Sequence, residues 1–363
     1  MLSYNFMSQA ISLAKKGLGM TRPNPCVGAL VVQKNKVVGQ GTHLKAGEAH
    51  AEVVALKEAG ALARNADLYI TLEPCAHHGR TPPCVSSIVA AGIKRVFVAM
   101  EDPNPLVMGK GIAFLRENNI EVEIGILAEK AKELNLGFNC RMTLGRPYVR
   151  SKIAASLDGR TSLNNGQSKW ISSEASRRDV QTWRERSCAI LTGVGTVNYD
   201  DPNLTARRYG LDQQPLRVIL DSHLRINSNS RILKQKNVLL VYGDDPSHKH
   251  DALINSGVTT LRLPLESNKI NLHELMAHLA TLEVNELWVE AGPNLNGSLL
   301  EQGLIDELIT YIAPMLLAGN ANPMFNNPIL QLMENKINLA IQDVRRVGAD
   351  LRIQSKVIKL DVD

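Results

Sequence analysis

HAEVVALKEAGALARNADLYITLEPCAHHGRTPPC, residues 50–84, holds the reading on which the fold turns. His50 to Glu58 is patterned as a helix, Leu68 to Leu72 as a strand, and a second helix is predicted over Val85 to Ala91. Residues with chemistry stand at the ends of these elements. His50-Ala51-Glu52 opens the first helix, Cys75 follows the strand after Pro74, and Cys84 leads out of Pro82-Pro83 into the second helix. One imidazole and two thiolates match the three-ligand set of a catalytic zinc, which keeps a fourth position open. Two thiolates neutralise the ion, leaving bound hydroxide as the attacking group. Helix N-termini favour thiolate over thiol at such positions. Glu52 is too near His50 in sequence to be an easy fourth ligand and is placed to move protons. A closed structural zinc site is the alternative, with His77 or His78 as fourth ligand, but it leaves Glu52 without a role.

Outward from this stretch the chain alternates. A helix is expected over Tyr4 to Lys16, then strands Val27 to Val32 and Val37 to Thr42 around the turn Lys34-Asn35-Lys36. Beyond Cys84 come a strand at Arg95 to Met100, a helix at Lys110 to Glu117, a strand at Glu121 to Gly125 and a helix at Glu129 to Cys140. One hairpin followed by alternating elements predicts a mixed sheet with helices on both faces. Gly145-Arg146-Pro147 breaks the rhythm, and 363 residues exceed one ordinary core. The expected domains are therefore 1–146 and 147–363. The second again alternates: strand Tyr148 to Ala155, helix Glu174 to Glu185, strands Ala189 to Leu191, Leu216 to Leu220, Val238 to Val241 and Leu287 to Val289, and helix Ser298 to Gln302. A hairpin over Val344 to Ile358 closes the chain.

Composition narrows the function class. A formal charge of +5 with aromatics at 4% gives no basic, aromatic-laced surface for nucleic acid, while mildly favouring an anionic small molecule. No run of eighteen apolar residues occurs, so no membrane span is expected. The basic residues near the N-terminus follow the apolar ones, unlike a secretory signal, and a cytoplasmic location follows. The five cysteines read as metal ligands or buried thiols, with Cys26, Cys140 and Cys188 in the second group.

In the second half, Glu290-Ala291-Gly292-Pro293-Asn294-Leu295-Asn296-Gly297-Ser298 follows a strand and precedes a helix, an arrangement that brings backbone N–H groups to a phosphate. It is not the G-x-G-x-x-G fingerprint, so a standard dinucleotide-binding fold is not supported. Strands also run into small polar loops at SKIAASLDGRT (151–161), at Thr192 to Thr196 with Asp200 to Thr205, and at Asp221-Ser222. Several polar strand ends in one alternating domain are what a cofactor crevice requires.

The chain resembles the bifunctional deaminase/reductases of riboflavin biosynthesis over nearly its whole length. The likeness rests on Thr21 to Gly28 (TRPNPCVG), His50-Ala51-Glu52, Thr71 to Cys75 with Gly79 to Cys84, Ala154 to Gly159, Asp200-Asp201-Pro202 and Glu290 to Pro293. The wide cysteine spacing, unlike the P-C-x-x-C of most zinc deaminases, is that family's form. The resemblance implies an α/β protein: a cytidine-deaminase-like first domain and a dihydrofolate-reductase-like second domain. It implies one Zn2+ per chain and NADPH as cofactors, a phosphorylated pyrimidine as substrate, no nucleic-acid or membrane partner, and a homo-oligomer. It places the metal on His50, Cys75 and Cys84 and proton transfer on Glu52. Asn24 and His43 would line the deaminase pocket, and His77 and Arg80 would meet the substrate phosphate. In the reductase, substrate contacts fall on Ser168, Arg184, Leu204, Arg207 and Glu290. Cofactor contacts fall on Ala154, Trp170, Thr196, Asp200, Ser222 and Gly292, Pro293, Asn294, Leu295, Asn296, Gly297 and Ser298, with Lys152 and Asp200 as relay or orienting groups. The other readings are a nucleic-acid base deaminase with an accessory domain and a non-catalytic protein sensing zinc and a dinucleotide.

Overall fold

The computed structural model describes residues 2–76, 83–207, 214–326 and 332–358. It forms two compact units, Met1–Arg146 and Pro147–Asp363. Among the described residues no helix is long and apolar enough to cross a membrane.

The first unit begins with α1 (Leu2–Ala14) and the hairpin β1 (Gly28–Gln33) and β2 (Lys36–Thr42). Lys34 and Asn35 both take positive φ at its turn, the backbone that matches the twist of paired strands. There follow α2 (Ala51–Ala59), β3 (Asp67–Ile70), α3 (Cys84–Ala90), β4 (Arg95–Val98), α4 (Lys110–Glu117), β5 (Glu121–Ile124), α5 (Ala128–Leu134) and α6 (Leu136–Leu144). The sheet runs β2-β1-β3-β4-β5, with β1 antiparallel to both neighbours and β3, β4 and β5 parallel. Alternate residues of β1 serve opposite faces. Ala29 and Val31 meet Ala51 and Ala55 of α2 and Val85 and Ile88 of α3. Leu30 and Val32 meet Phe6, Met7, Ala10 and Ile11 of α1 and Ala131 of α5. The expected mixed sheet with helices on both faces is what forms.

Two glycines set the height of α2 above the sheet. A Cβ at Gly41 would stand 1.9 Å from the Ala51 carbonyl oxygen, and one at Gly39 2.2 Å from that of Ala55. Only glycine admits this contact, and it fixes the start of α2, where His50 and Glu52 lie. The expected helix over Glu129 to Cys140 is instead two, divided at Asn135. The buried Asn135 amide accepts from the Cys26 N–H at 2.8 Å and donates to the Cys26 carbonyl at 3.0 Å. At this break the Asn135 φ is −119°, outside the helical range.

The second unit contains β6 (Tyr148–Ser156), β7 (Arg160–Ser162), α7 (Glu174–Arg186), β8 (Ala189–Gly193), α8 (Val194–Asp200), β9 (Leu216–Leu220), β10 (Val238–Tyr242), α9 (His250–Asn255), β11 (Thr259–Arg262), β12 (Leu265–Glu266) and β13 (Lys269–Ile270). Next come α10 (Leu272–Thr281), β14 (Glu286–Val289), α11 (Pro293–Glu301), β15 (Glu307–Ala313), β16 (Asn322–Pro323), β17 (Asn338–Val347) and β18 (Asp350–Ile358). The main sheet runs β11-β10-β9-β8-β14-β6-β15-β18-β17. From β11 to β15 every pairing is parallel, and the closing hairpin is antiparallel. Leu275, Met276 and Leu279 of α10 and Leu299 of α11 cover one face. Val180 and Trp183 of α7 and Val194 and Val197 of α8 cover the other. No expectation covered β15, α8 or α10. Helix α11 begins at Pro293 rather than Ser298, because proline at the first helical position has the φ that position needs and lacks only an N–H that would go unpaired.

Candidate functional site

In the first unit, β3 and the N-termini of α2 and α3 converge. His50 is the N-cap of α2 and Cys84 the first residue of α3. His50 Nδ1 lies 3.1 Å from Cys84 Sγ and 3.7 Å from Cys75 Sγ, and the Cys84 N–H donates to Cys75 Sγ at 3.4 Å. All three ligand atoms lie within 4.8 Å of one another, and no fourth His, Cys, Asp or Glu joins them among the described residues. An imidazole and two sulfurs at this spacing fit a tetrahedral zinc with one open position. The Cys84 contact holds the Cys75 thiol down to about 4, and the same contact pushes Cys84 up. Zinc takes cysteine as thiolate, so its binding releases the protons the pair carries. His77, His78 and Arg80 lie outside the described residues.

Glu52 stands in the first turn of α2 and is 3% exposed. Burial raises its pKa against the lowering pull of His50, and its carboxyl hydrogen-bonds Cys84. A buried carboxyl beside the metal ligands is placed to take a proton and return it. His43 faces His50 edge-on at 5.3 Å. Its Nδ1, 3.2 Å from the Ala49 carbonyl, must donate, so its Nε2 accepts from the Asn24 amide at 3.1 Å. Burial lowers the His43 pKa, which keeps this neutral tautomer. The Asn24 NH2 is thereby engaged.

Glu73, to which the sequence reading gave no role, organises the floor. Its buried carboxylate accepts from the N–H groups of Asp102, Gly109, Gly111 and Ile112 at 3.1, 3.0, 2.9 and 3.2 Å. This ties the segment after β4 and the start of α4 to the chain two residues before Cys75. The signal in the sequence was its place in Thr71 to Cys75; its partners were not legible, since they lie some thirty residues on.

In the second unit the C-terminal ends of the parallel strands form one rim. Lys152 and Ala154 are half-buried on β6, Glu290 follows β14, Thr196 is in the first turn of α8, and Ser222 follows β9. Ser222 lies two strand spacings from β14, about 10 Å. Arg184 of α7 is buried against Glu290, with Nε to Oε1 at 2.5 Å and Nη2 to Oε2 at 2.8 Å, while Nη1 donates to the Thr205 carbonyl at 3.1 Å. Trp288 Nε1 also donates to Glu290, at 2.8 Å. Burial alone would raise the Glu290 pKa, but Arg184 beside it brings it to about 2. Burial pushes the Lys152 amine down, opposed by Glu290 and Asp200 and reinforced by Arg184.

The remaining expected residues take several positions. Asp200 pairs with Lys169 at 3.2 Å. Trp170 is 65% exposed, with the Arg177 guanidinium 4.5 Å above its ring. Ser168 is half-buried, Arg207 exposed, and Leu204 buried with positive φ. Asn296 turns inward, accepting from Ser151 Oγ at 2.8 Å and donating to the Ala291 carbonyl at 2.9 Å. Gly292 is the N-cap of α11, and Pro293 through Ser298 are its opening turns. The rim has the openings a dinucleotide needs. Among the described residues, a Cβ on Gly195 or Gly292 would meet nothing within 4 Å, and the buried Thr192 Oγ1 and Asp221 Oδ1 at the ends of β8 and β9 have no hydrogen-bond partner.

Comparison with known proteins gives concordant results. The family model for the cytidine and deoxycytidylate deaminase zinc-binding region matches residues 2–100, and that for the RibD C-terminal domain matches 147–353. The riboflavin biosynthesis protein RibD of Bacillus amyloliquefaciens is 44% identical over 353 residues, covering 96% of this chain and 94% of that protein. The RibD of Escherichia coli (strain K12) is 42% identical over 359 residues, covering 95% and 97%. Among solved structures, Acinetobacter baumannii RibD aligns with a TM-score of 0.91 at 42% identity, covering 99% of each chain. A Thermotoga maritima protein described as a diaminohydroxyphosphoribosylaminopyrimidine deaminase/5-amino-6-(5-phosphoribosylamino)uracil reductase aligns with a TM-score of 0.85 at 31% identity, covering 98% of this chain and 99% of that one.

Proposed function

The chain belongs to the RibD family of bifunctional riboflavin-biosynthesis enzymes, and from that premise we propose the substrates and the residues that act on them. The first unit is a zinc-dependent deaminase and the second a reductase that uses NADPH. The first reaction removes the 2-amino group of 2,5-diamino-6-(5-phosphoribosylamino)pyrimidin-4-one by hydrolysis. The second reduces the ribosyl arm of the deaminated product to ribityl. The observation that carries the reading is the meeting of His50, Cys75 and Cys84 beside a buried Glu52.

His50 Nδ1, Cys75 Sγ and Cys84 Sγ would hold the zinc, which when bound supplies a Lewis acid that makes water acidic enough to attack at neutral pH. Glu52 accepts the proton released on attack and delivers it to the departing ammonia. The Asn24 oxygen, oriented by His43, accepts from an N–H of the pyrimidine. Glu73 holds the Cys75 segment at its working height.

NADPH, when bound, supplies the reducing equivalent. The rim of β6, β14, β8 and β9 would carry it, with backbone N–H groups of α11 toward its phosphates. Lys152 gives its proton to the oxygen formed when the ribosyl group is reduced, and Glu290 orients Lys152 and the substrate hydroxyls. Arg184, engaged with Glu290, serves chiefly to hold that carboxylate ionised. Arg207 is the arginine left to meet the substrate phosphate. A cytoplasmic location, no nucleic-acid partner and assembly of like chains rest on the family resemblance.

The test is turnover of the phosphoribosyl diaminopyrimidine by the purified chain with and without NADPH, alongside metal analysis. Ammonia release without NADPH and a reduced product only with it are expected. Absence of ammonia release from zinc-loaded protein sinks the reading.

A further inference from the structure

Beyond Ser222 the rim continues. Strands β9, β10 and β11 are parallel neighbours, and at the C-terminal ends of β10 and β11 lies an open cleft of about 550 Å³ lined by Gly243, Asp244, Arg262, Leu263, Pro264 and Leu265. The cleft is joined to the Ser222 position directly, since the Ser222 carbonyl accepts from the N–H groups of Gly243 and Asp244 at 3.2 and 2.9 Å. From β14, where α11 presents its N-terminus, to β10 is three strand spacings, about 14 Å. A ligand with its pyrophosphate at α11 and its length laid along the rim brings its far end here.

The chemistry at this end is specific. Arg262 Nε donates to the Gly243 carbonyl at 3.0 Å, which anchors the guanidinium across the cleft. Nη1 and Nη2 have no partner among the described residues. Leu265 packs directly over Gly243, where a Cβ would stand 2.2 Å from Leu265 Cδ2, and the two together form the cleft wall. Asp244 is the one acidic lining residue. Its Oδ1 accepts from the Asp245 N–H at 2.8 Å, and its Oδ2 stands 3.8 Å from His223 Nδ1.

We propose that this cleft receives the adenosine arm of the reductase cofactor and that Arg262 is the residue that selects a 2′-phosphate on its ribose. The proposal rests on the reading above that the cofactor runs along the rim past Ser222. Two free guanidinium donors fixed by a third bond form the bidentate fork that suits a phosphate. A 2′-hydroxyl in its place leaves those donors unused, so a cofactor lacking the phosphate gains nothing from Arg262.

Calorimetric binding of 2′,5′-ADP and 5′-ADP to the full chain tests this without turnover. The unsubstituted protein should bind 2′,5′-ADP the more tightly. Arg262→Gln should weaken 2′,5′-ADP about tenfold or more, as loss of a charge-assisted pair does, leave 5′-ADP unchanged, and remove most of the salt dependence of the difference. Arg262→Lys, which keeps the charge but not the fork, should fall between. A melting curve matching the unsubstituted protein excludes misfolding of either variant. Preference for 2′,5′-ADP that survives Arg262→Gln places the 2′-phosphate elsewhere and overturns the proposal alone. No binding of either nucleotide to the unsubstituted protein overturns both the proposal and the rim reading beneath it.

Discussion

Arg184 and Glu290 face each other through two parallel hydrogen bonds, 2.5 and 2.8 Å long, with only 10% and 13% of their side chains exposed. The carboxylate also accepts from Trp288 Nε1, and its charge opposes the fall of the Lys152 pKa. All three guanidinium nitrogens of Arg184 are thus engaged within its own chain, two with Glu290 and one with the Thr205 carbonyl.

That pair makes stability depend on acidity. Glu290 falls from an ordinary 4.5 to about 2 in the folded protein. A depressed carboxyl pKa contributes stability that is fully present above about pH 4.5 and lost as pH falls through about 2, worth about 3 kcal/mol. All three tryptophans lie in the second unit, so tryptophan fluorescence in urea reports that unit. Arg184→Leu should cost about 3–5 kcal/mol by leaving a buried charge unpaired, and Arg184→Leu with Glu290→Leu should recover part of it. Equal losses in the single and double variants would show that packing, not charge, is at stake.

With Lys152 as the proposed proton donor, its titration is expected to set the basic limit of reduction. Burial holds its amine below the ordinary 10.5, and Glu290 opposes the fall. The rate of reduction should therefore drop on the alkaline side at a pH under 10.5, as the amine loses its proton. Glu290→Gln removes the neighbour that raises this pKa, so the drop should move to lower pH. Lys152→Gln should lower kcat by about 100-fold or more while NADP+ affinity, measured by fluorescence titration, stays within a factor of a few. A limb that does not move in Glu290→Gln assigns it to another group.

Glu52→Gln should retain one zinc per chain yet lose about 100- to 10,000-fold in deamination, while reduction of separately supplied deaminated substrate survives. Chelation should abolish deamination in the same selective way. In chelated protein, Cys75 should react with iodoacetamide ahead of Cys84, because it is the thiolate of the pair and the less buried. Persistent ammonia release by Glu52→Gln would falsify its assignment as the proton carrier.

Glu73→Gln tests the floor of the zinc site. An amide offers one accepting oxygen where the carboxylate satisfies four N–H groups, and its NH2 opposes the rest. Zinc affinity by competition with a chelating dye should fall about 10- to 100-fold, as for loss of other groups that support a metal's ligands. Unaltered zinc affinity with lowered stability would make Glu73 a purely structural residue.

Much of the first unit was legible because its signals are local. The hairpin residues Lys34 and Asn35, the apolar faces of α1 and α2 and the sequence His50-Ala51-Glu52 each lie within a few positions of one another. What failed involved partners far along the chain. The helix break falls at Asn135, whose amide serves Cys26, and Glu73 serves a segment beyond β4. In the second unit, Pro293 marks the start of α11 by its fixed φ, a local signal read too late in the segment.

Which residues can ligate, titrate or cap is written in their side chains, and the order of strands and helices in their spacing. Those facts made the metal set and the pairing of a deaminase part with a reductase part readable from the amino acids in line. Whether a given arginine is free or engaged depends on what folding brings within 3 Å of it, and burial then sets its partner's charge. Arg184 and Glu290 lie more than a hundred residues apart, and only the packing of α7 against the end of β14 decides that they share one charge pair.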